Sequence, residues 1–246
     1  MPASGGPVAP ERVADVAAAA RILAARGVVD GFGHVSMRHP NAPDRYLMAR
    51  ALAPALVTPA DIVEYDLDSN ACDPDAPKGF LERFIHGQIY KARPDICAVV
   101  HSHSPSVIPF GLAKAPMQAC FHNAAFLAQG VPVFDIACDH GATDMLVSDN
   151  EKGVDLAKCL GDKPVALMRA HGSVACGPSL EVAVFRAVYT EVSARVQHMA
   201  LALAEDGEVL ATLSKEEGAL ADVPNQTAGM RAWHLWRTEI HEQAGW

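Results

Sequence analysis

The segment from Phe80 to His103 constrains this chain more than any other. Apolar residues at Phe80, Leu81, Phe84, Ile85 and Ile89 repeat with helical spacing, so residues 80–92 read as a helix. Arg93-Pro94-Asp95 stops it, because the residue before a proline is pushed out of the α region. An apolar run, Ile96-Cys-Ala-Val-Val100, follows and ends in His101-Ser102-His103. Side chains alternate along a strand, so both imidazoles project from one face. A fold containing this unit must set a helix beside a buried strand whose end carries two metal-ligating groups on the same side.

The remaining pattern mixes strands and helices. Residues 11–26 are alanine-rich and predict a helix closed by Gly27, after a loose tail over 1–9. Gly31-Phe-Gly-His-Val-Ser-Met-Arg38 passes from glycine-rich to alternating, and residues 45–48 supply a hairpin partner across the turn at 40–44. Thr58-Pro-Ala-Asp61 has the form of a capped first turn before an extended run over 62–67. Further strands are expected at 131–136 and 164–168, and helices at 150–160, 179–204 and from about 225. The stretch after Glu205 is polar and contains glycine, which sets off a C-terminal tail from about residue 205. The reading is one domain over 1–246, of α/β or α+β class.

Half of the 246 residues are hydrophobic, enough for a full core. A net charge of −9 and the lack of clustered Lys and Arg argue against a nucleic-acid surface, so a small molecule is the expected partner. Six cysteines are scattered singly with no Cys-x-x-Cys pair, which predicts reduced thiols. The N-terminus lacks the basic start and apolar run of a signal peptide, and no segment reaches about eighteen uninterrupted apolar residues. A cytoplasmic protein without a membrane partner is therefore expected.

A third histidine, His171, stands in Val165-Ala-Leu-Met-Arg-Ala-His-Gly172, again just past an apolar strand and beside a glycine that lets backbone come close. Three imidazoles with an open position describe a catalytic site for Zn²⁺ or another borderline divalent ion. The same three residues also read as strand-end histidines bonded to backbone. Glu82 sits among apolar positions on the helix leading into the His-x-His strand. It reads either as an ion-pair partner of Arg83 or Lys78, or as a carboxylate that exchanges a proton with substrate.

Taken together, Glu82, Arg93-Pro94-Asp95, Ala98-Val-Val-His-Ser-His103 and Ala170-His-Gly172 followed by a helix resemble the class II aldolase/adducin family over roughly residues 11–204. The resemblance implies a single-domain α/β/α sandwich around a mostly antiparallel sheet, assembled as a homotetramer with active sites between subunits. It implies one divalent metal ion per subunit on His101, His103 and His171, Zn²⁺ or Mn²⁺ first and Fe²⁺ or Co²⁺ after them. Glu82 is then the acid/base or an additional ligand. His122 falls where relatives place residues near the active-site mouth, which makes it either a proton donor or a packed polar helix residue.

Departures from the family's sugar-phosphate pattern point to the substrate. Where the aldolases hold phosphate with a Gly-Asn-x-Ser turn, a Thr-Gly loop and a Ser-Ser pair, this chain has Gly33-His-Val-Ser36, Ala49-Arg-Ala-Leu-Ala53 and Gly79-Phe-Leu81. Small donors have given way to His34, Arg50 and bulky apolar groups. A flatter carboxylate substrate is expected, bound by His34, Ser36, Arg38 and Arg50, with either arginine able to grip it bidentately. Arg50 as a solvated loop charge and His34 as a turn cap are the competing readings. The pattern is nearest in character to the family's decarboxylases, such as 3-hydroxy-2-methylpyridine-4,5-dicarboxylate decarboxylase. The expectation is a metal-dependent carbon–carbon lyase that decarboxylates a hydroxylated aromatic or heteroaromatic acid. Alternatives are an aldolase on an unphosphorylated hydroxy-acid or sugar acid, an iron-dependent oxygenase, and an adducin-like interaction module. His86 is given no role.

Overall fold

The inner strands of this chain hide both of their faces, and the layers follow from that. The computed structural model describes residues 1–205 and 210–245. Strand β1 (His34–Arg38) and β2 (Arg45–Ala49) form the expected hairpin, β3 (Ile62–Asp66) pairs outside β2, and β4 (Ala98–Ser102) pairs with the other side of β1. Strands β5 (Val133–Phe134), β6 (Val165–Met168) and β7 (Gly172–Gly177) complete a seven-stranded sheet of order β3-β2-β1-β4-β7-β6-β5. All pairings are antiparallel except β5 with β6.

Helices cover both faces, as expected of an α/β/α sandwich. On one face α1 (Pro10–Ala25), α5 (Leu180–Leu203) and α6 (Lys215–Ala244) pack on Val35, Met37, Ala98, Val100, Leu167 and Ala175. On the other, α2 (Phe84–Ala92) and α4 (Asn150–Leu160) place Ile85, Ile89, Leu156 and Leu160 against Met48, Val99, Ala166 and Val174, with short α3 (Ile136–His140) beside α4. Each of the buried Val, Leu, Ile and Met side chains among them contributes roughly 1.5–3 kcal/mol. Trp233 and Trp236 of α6 are buried in this chain's own core.

Several boundaries differ from the sequence reading. The helix expected over 80–92 is broken: Leu81–Arg83 is a 3-10 turn with Glu82 at φ −93°, ψ 20°, and regular helix begins at Phe84. The strand expected over 131–136 shrinks to two residues, since Asp135 caps α3. Helix α6 begins ten residues before the expected start, at a Ser214–Glu217 capping box. The interior Gly218 and Pro224 hide its helical pattern, and Gly218 is a contact: a Cβ there would lie 2.2 Å from Ala128 Cβ. Strand β7 is not among the expected elements. The tail over 1–9 has no regular structure but is tied to the sheet edge, where Ser4 Oγ and the Gly5 N–H donate to Glu64. Part of the polar stretch after Glu205 lies outside the described residues.

Candidate metal centre

Three segments bring one cluster of four residues together. The end of strand β4 carries His101, with His103 just past it, on the face that looks toward α2, the 3-10 turn before α2 carries Glu82, and the tight β6–β7 connection carries His171. That connection is strained. Ala170 has φ +55° and Met145, whose carbonyl meets His171, has φ +67°. A left-handed non-glycine residue costs roughly 1–2 kcal/mol and persists only where its surroundings hold it.

The cluster's atoms converge. His103 Nε2 lies 3.0 Å from His101 Nε2 and 2.9 Å from His171 Nε2, and Glu82 Oε2 lies 3.5 Å from His101 Nε2 and 3.3 Å from His171 Nε2. The far side of two rings is already engaged: His101 Nδ1 is 3.1 Å from the Ser173 carbonyl and His171 Nδ1 is 2.9 Å from the Met145 carbonyl. A carbonyl only accepts, so each Nδ1 carries the ring proton and each Nε2 presents a lone pair to the centre. Two imidazole lone pairs and a carboxylate oxygen facing one another repel unless a cation lies between them. The four spacings bracket the ~3.3 Å edge expected for tetrahedral ligands with bonds of about 2.0–2.1 Å. These residues therefore fit a divalent metal ion of the kind that takes nitrogen and oxygen donors.

Glu82 is held as a carboxylate. Burial pushes the Glu82 carboxyl up, but hydrogen bonds and charge from His101 and His171 outweigh it and hold the group far below the usual carboxylate range. Its other oxygen accepts from the Val147 N–H at 3.0 Å. Burial, then His101 and His171, lowers His103 to about 4. Burial lowers His171, but hydrogen bonding to Glu82 reverses this and leaves it raised.

The cluster opens on a cavity of about 660 Å³ whose walls include Phe32, Leu52, Phe80, Leu81, His34 and Lys78. Phe32 stacks on His103 with centroids 6.3 Å apart and planes at 23°. Lys78, which the sequence reading does not place at the substrate, is the cation of this pocket; only its position beside Gly79-Phe-Leu81 could have signalled it.

The four residues expected to bind substrate are not gathered together. His34, Ser36 and Arg38 alternate on one face of β1, but only His34 reaches the pocket. Ser36 is bonded to His86 and Tyr90. Arg38 is buried and donates to the carbonyls of Ile96, Tyr90 and Arg93, so its guanidinium is consumed by backbone acceptors. Arg50 is paired with Asp61 at 2.6 Å. His122 lies outside the cluster, exposed in a separate depression beside Asn123, Phe185 and Tyr189, where its carbonyl accepts from Asn225.

Residues 14–198 match the profile of the class II aldolase and adducin N-terminal domain. The chain belongs to the class II aldolase and adducin family. Decarboxylase tropJ of Talaromyces stipitatus is 34% identical, the alignment covering 89% of this chain and 90% of that protein. 3,4-Dihydroxyphthalate decarboxylase of Terrabacter sp. (strain DBF63) is 32% identical over 96% of this chain and 98% of its own. Among solved structures, an aldolase II superfamily protein from Pseudomonas syringae superposes with a TM-score of 0.79 at 23% identity, covering 97% of this chain and 95% of that one. Membership of the class II aldolase family accounts for the sandwich. Among the described residues, no helix is long and apolar enough to cross a membrane.

His86 is a further residue near this site that the sequence did not flag. It is fully buried, and burial followed by the neighbouring His101 lowers its pKa from 6.5 to about 3. The unfolded chain binds this proton as pH falls through 6.5 and the folded chain does not, so stability is full above that value and is lost on acidification. By pH 5 the loss is about 2 kcal/mol, since each unit is worth about 1.36 kcal/mol. Urea unfolding of metal-free protein at pH 8 and pH 5 checks this: His86→Gln should shed that share of the pH dependence, and an unchanged slope would refute it.

Proposed function

We propose that this chain is a divalent-metal-dependent lyase that removes CO₂ from a hydroxylated aromatic or heteroaromatic acid. The observation that carries the reading is the convergence of three imidazoles and a carboxylate at the floor of a pocket walled by Phe32, Leu52, Phe80 and Leu81, with one lysine on its wall. Apolar walls suit a planar ring, and Lys78 suits a carboxylate. The names of the two decarboxylase relatives support the same reaction class.

A metal ion held by His101, His103 and His171 would supply Lewis-acid stabilisation of negative charge on the substrate's oxygens. Phe32 and Phe80 bind the ring and keep water from it. Lys78 fixes the acid's orientation. The ring carbon that bears the carboxylate is protonated before its bond to CO₂ breaks; the electron pair of that bond then enters the ring and reaches the ring oxygen, which it can do only from a tetrahedral carbon. Glu82, ionised in the resting site, relays a proton to that carbon, and one proton is taken up from solvent per CO₂ released. The exposure of Phe32 (68%) and Leu81 (55%) at the mouth supports a homotetramer in which a second copy covers the site, in keeping with a cytoplasmic enzyme.

An anaerobic activity screen of protein reconstituted with Zn²⁺, Mn²⁺, Co²⁺ or Fe²⁺ tests this reading. CO₂ release from 3,4-dihydroxyphthalate or 2,3-dihydroxybenzoate that vanishes in Glu82→Gln is expected. Aldehyde release from hydroxy-acids would replace this reading with an aldolase, O₂ uptake with Fe²⁺ would replace it with an oxygenase, and no turnover despite bound metal would favour an interaction module.

A further inference from the structure

Behind the pocket wall runs a row of buried polar groups outside the metal cluster. His34 Nδ1 lies 2.7 Å from His86 Nε2, His86 Nδ1 lies 2.6 Å from Ser36 Oγ, and Ser36 Oγ lies 2.7 Å from the Tyr90 hydroxyl. None of the four residues is more than 6% exposed. Strand β1 supplies His34 and Ser36 from one face, and α2 supplies His86 and Tyr90 one helical turn apart.

The protons in this row have only one satisfactory order. Among the described residues the Tyr90 hydroxyl has Ser36 as its sole hydrogen-bond partner, so its proton points at Ser36 Oγ. Ser36 accepts it and donates its own proton to His86 Nδ1. His86 then carries its single proton on Nε2 and donates it to His34 Nδ1. His34 is left with its proton on Nε2. Any other order strands a hydroxyl proton of Tyr90 or Ser36 in the core without an acceptor, which folded proteins avoid. Full burial without a charged partner keeps both imidazoles neutral.

We infer that the Tyr90–Ser36–His86 row fixes His34 as a neutral Nε2–H donor on the pocket wall, and that this donor holds the negatively charged ring oxygen of the substrate. Its position favours that role, since the His34 ring is 5.1 Å from that of His101 and 4.7 Å from that of Phe80, between the metal cluster and the aromatic wall. A preorganised donor aimed where charge develops stabilises the transition state more than the ground state. A neutral imidazole does so without surrendering its proton. His34 is then a catalytic residue, and His86, Ser36 and Tyr90 are positioning residues that act through it. The identity of the oxygen rests on the ring-acid reading above, whereas the tautomer rests on the hydrogen-bond row alone.

Two measurements separate these parts. In protein labelled with ¹⁵N-histidine, long-range ¹H–¹⁵N correlation spectra report which ring nitrogen holds each proton. His34 and His86 are both expected as Nε2–H tautomers, and Tyr90→Phe is expected to split His34 between the two forms. Nδ1–H on His34, or a His34 tautomer indifferent to Tyr90→Phe, overturns the inference. Second, 2,3-dihydroxybenzoate is titrated into the Zn²⁺-loaded protein. His34→Phe should weaken its binding about tenfold or more, as loss of a hydrogen bond to a charged group does, while His34→Gln, which keeps a donor, should stay within about threefold. Equal affinity in wild type and His34→Phe removes the donor role. Failure of the acid to bind the wild type defeats the ring-acid reading and the oxygen assigned to His34, with the tautomer still decided by the spectra.

Discussion

His101→Ala is expected to leave a folded protein that neither retains a metal ion nor turns over substrate. His101 supplies one of the converging lone pairs, and its ring is held in that orientation from behind by the Ser173 carbonyl. Lewis-acid stabilisation of transition-state charge is worth several kcal/mol, and each ~1.4 kcal/mol is tenfold in rate, so activity should fall by about three orders of magnitude or more. The wild-type protein should gain about 4 kcal/mol of stability at a metal concentration a thousand times its dissociation constant, because the ion binds only the folded chain. The variant should gain nothing. Thermal unfolding with and without Zn²⁺, alongside metal content after dialysis, checks both statements. A variant that still binds one equivalent of metal would remove His101 from the ligand set.

Gly172→Ala should be the most damaging small substitution outside the cluster. A Cβ at position 172 would sit 2.0 Å from the Ser102 carbonyl oxygen, which is backbone of the neighbouring strand and cannot rotate aside. Strands β4 and β7 would have to part where they hold His101, His103 and His171 in place. Overpacking in a tight interior costs typically 1–3 kcal/mol and more where backbone must move, so a loss of about 3 kcal/mol is expected. Metal affinity should fall with it, although no ligand has changed. Urea unfolding and a metal titration on the same preparation give the answer, and a variant matching wild type in both would show that the strands adjust freely.

The histidine cluster was legible because the strand period places two of its members. His101 and His103 fall on one face from spacing alone, and His171 beside Gly172 marked a close approach of backbone. What the sequence hid is what orients them. Strand β7 reads Gly-Ser-Val-Ala-Cys-Gly, poor in the branched and aromatic residues that announce a strand, yet its Ser173 carbonyl sets the His101 tautomer. The contact between Met145 and His171 joins segments far apart in sequence, and no local pattern encodes it. Arg38 and Arg50 looked like substrate grips because a guanidinium suits a carboxylate; the fold satisfies one with carbonyls and the other with Asp61. His86 escaped notice because a histidine on a helix announces nothing until its partners across the sheet are known.

The alternation of β1 bears on how the chain finds its pairing. His34, Ser36 and Arg38 meet polar partners on α2 and nearby backbone, while Val35 and Met37 enter the apolar layer on the opposite side. A slip of one residue would exchange the two sets, burying an imidazole, a hydroxyl and a guanidinium in hydrocarbon and leaving His86 and Tyr90 facing valine and methionine. The polar row thus works as a key cut on one edge only: misaligned hairpins of β1 with β2 or β4 cannot be completed, and the sheet is steered to the single alignment in which His34 stands opposite His101.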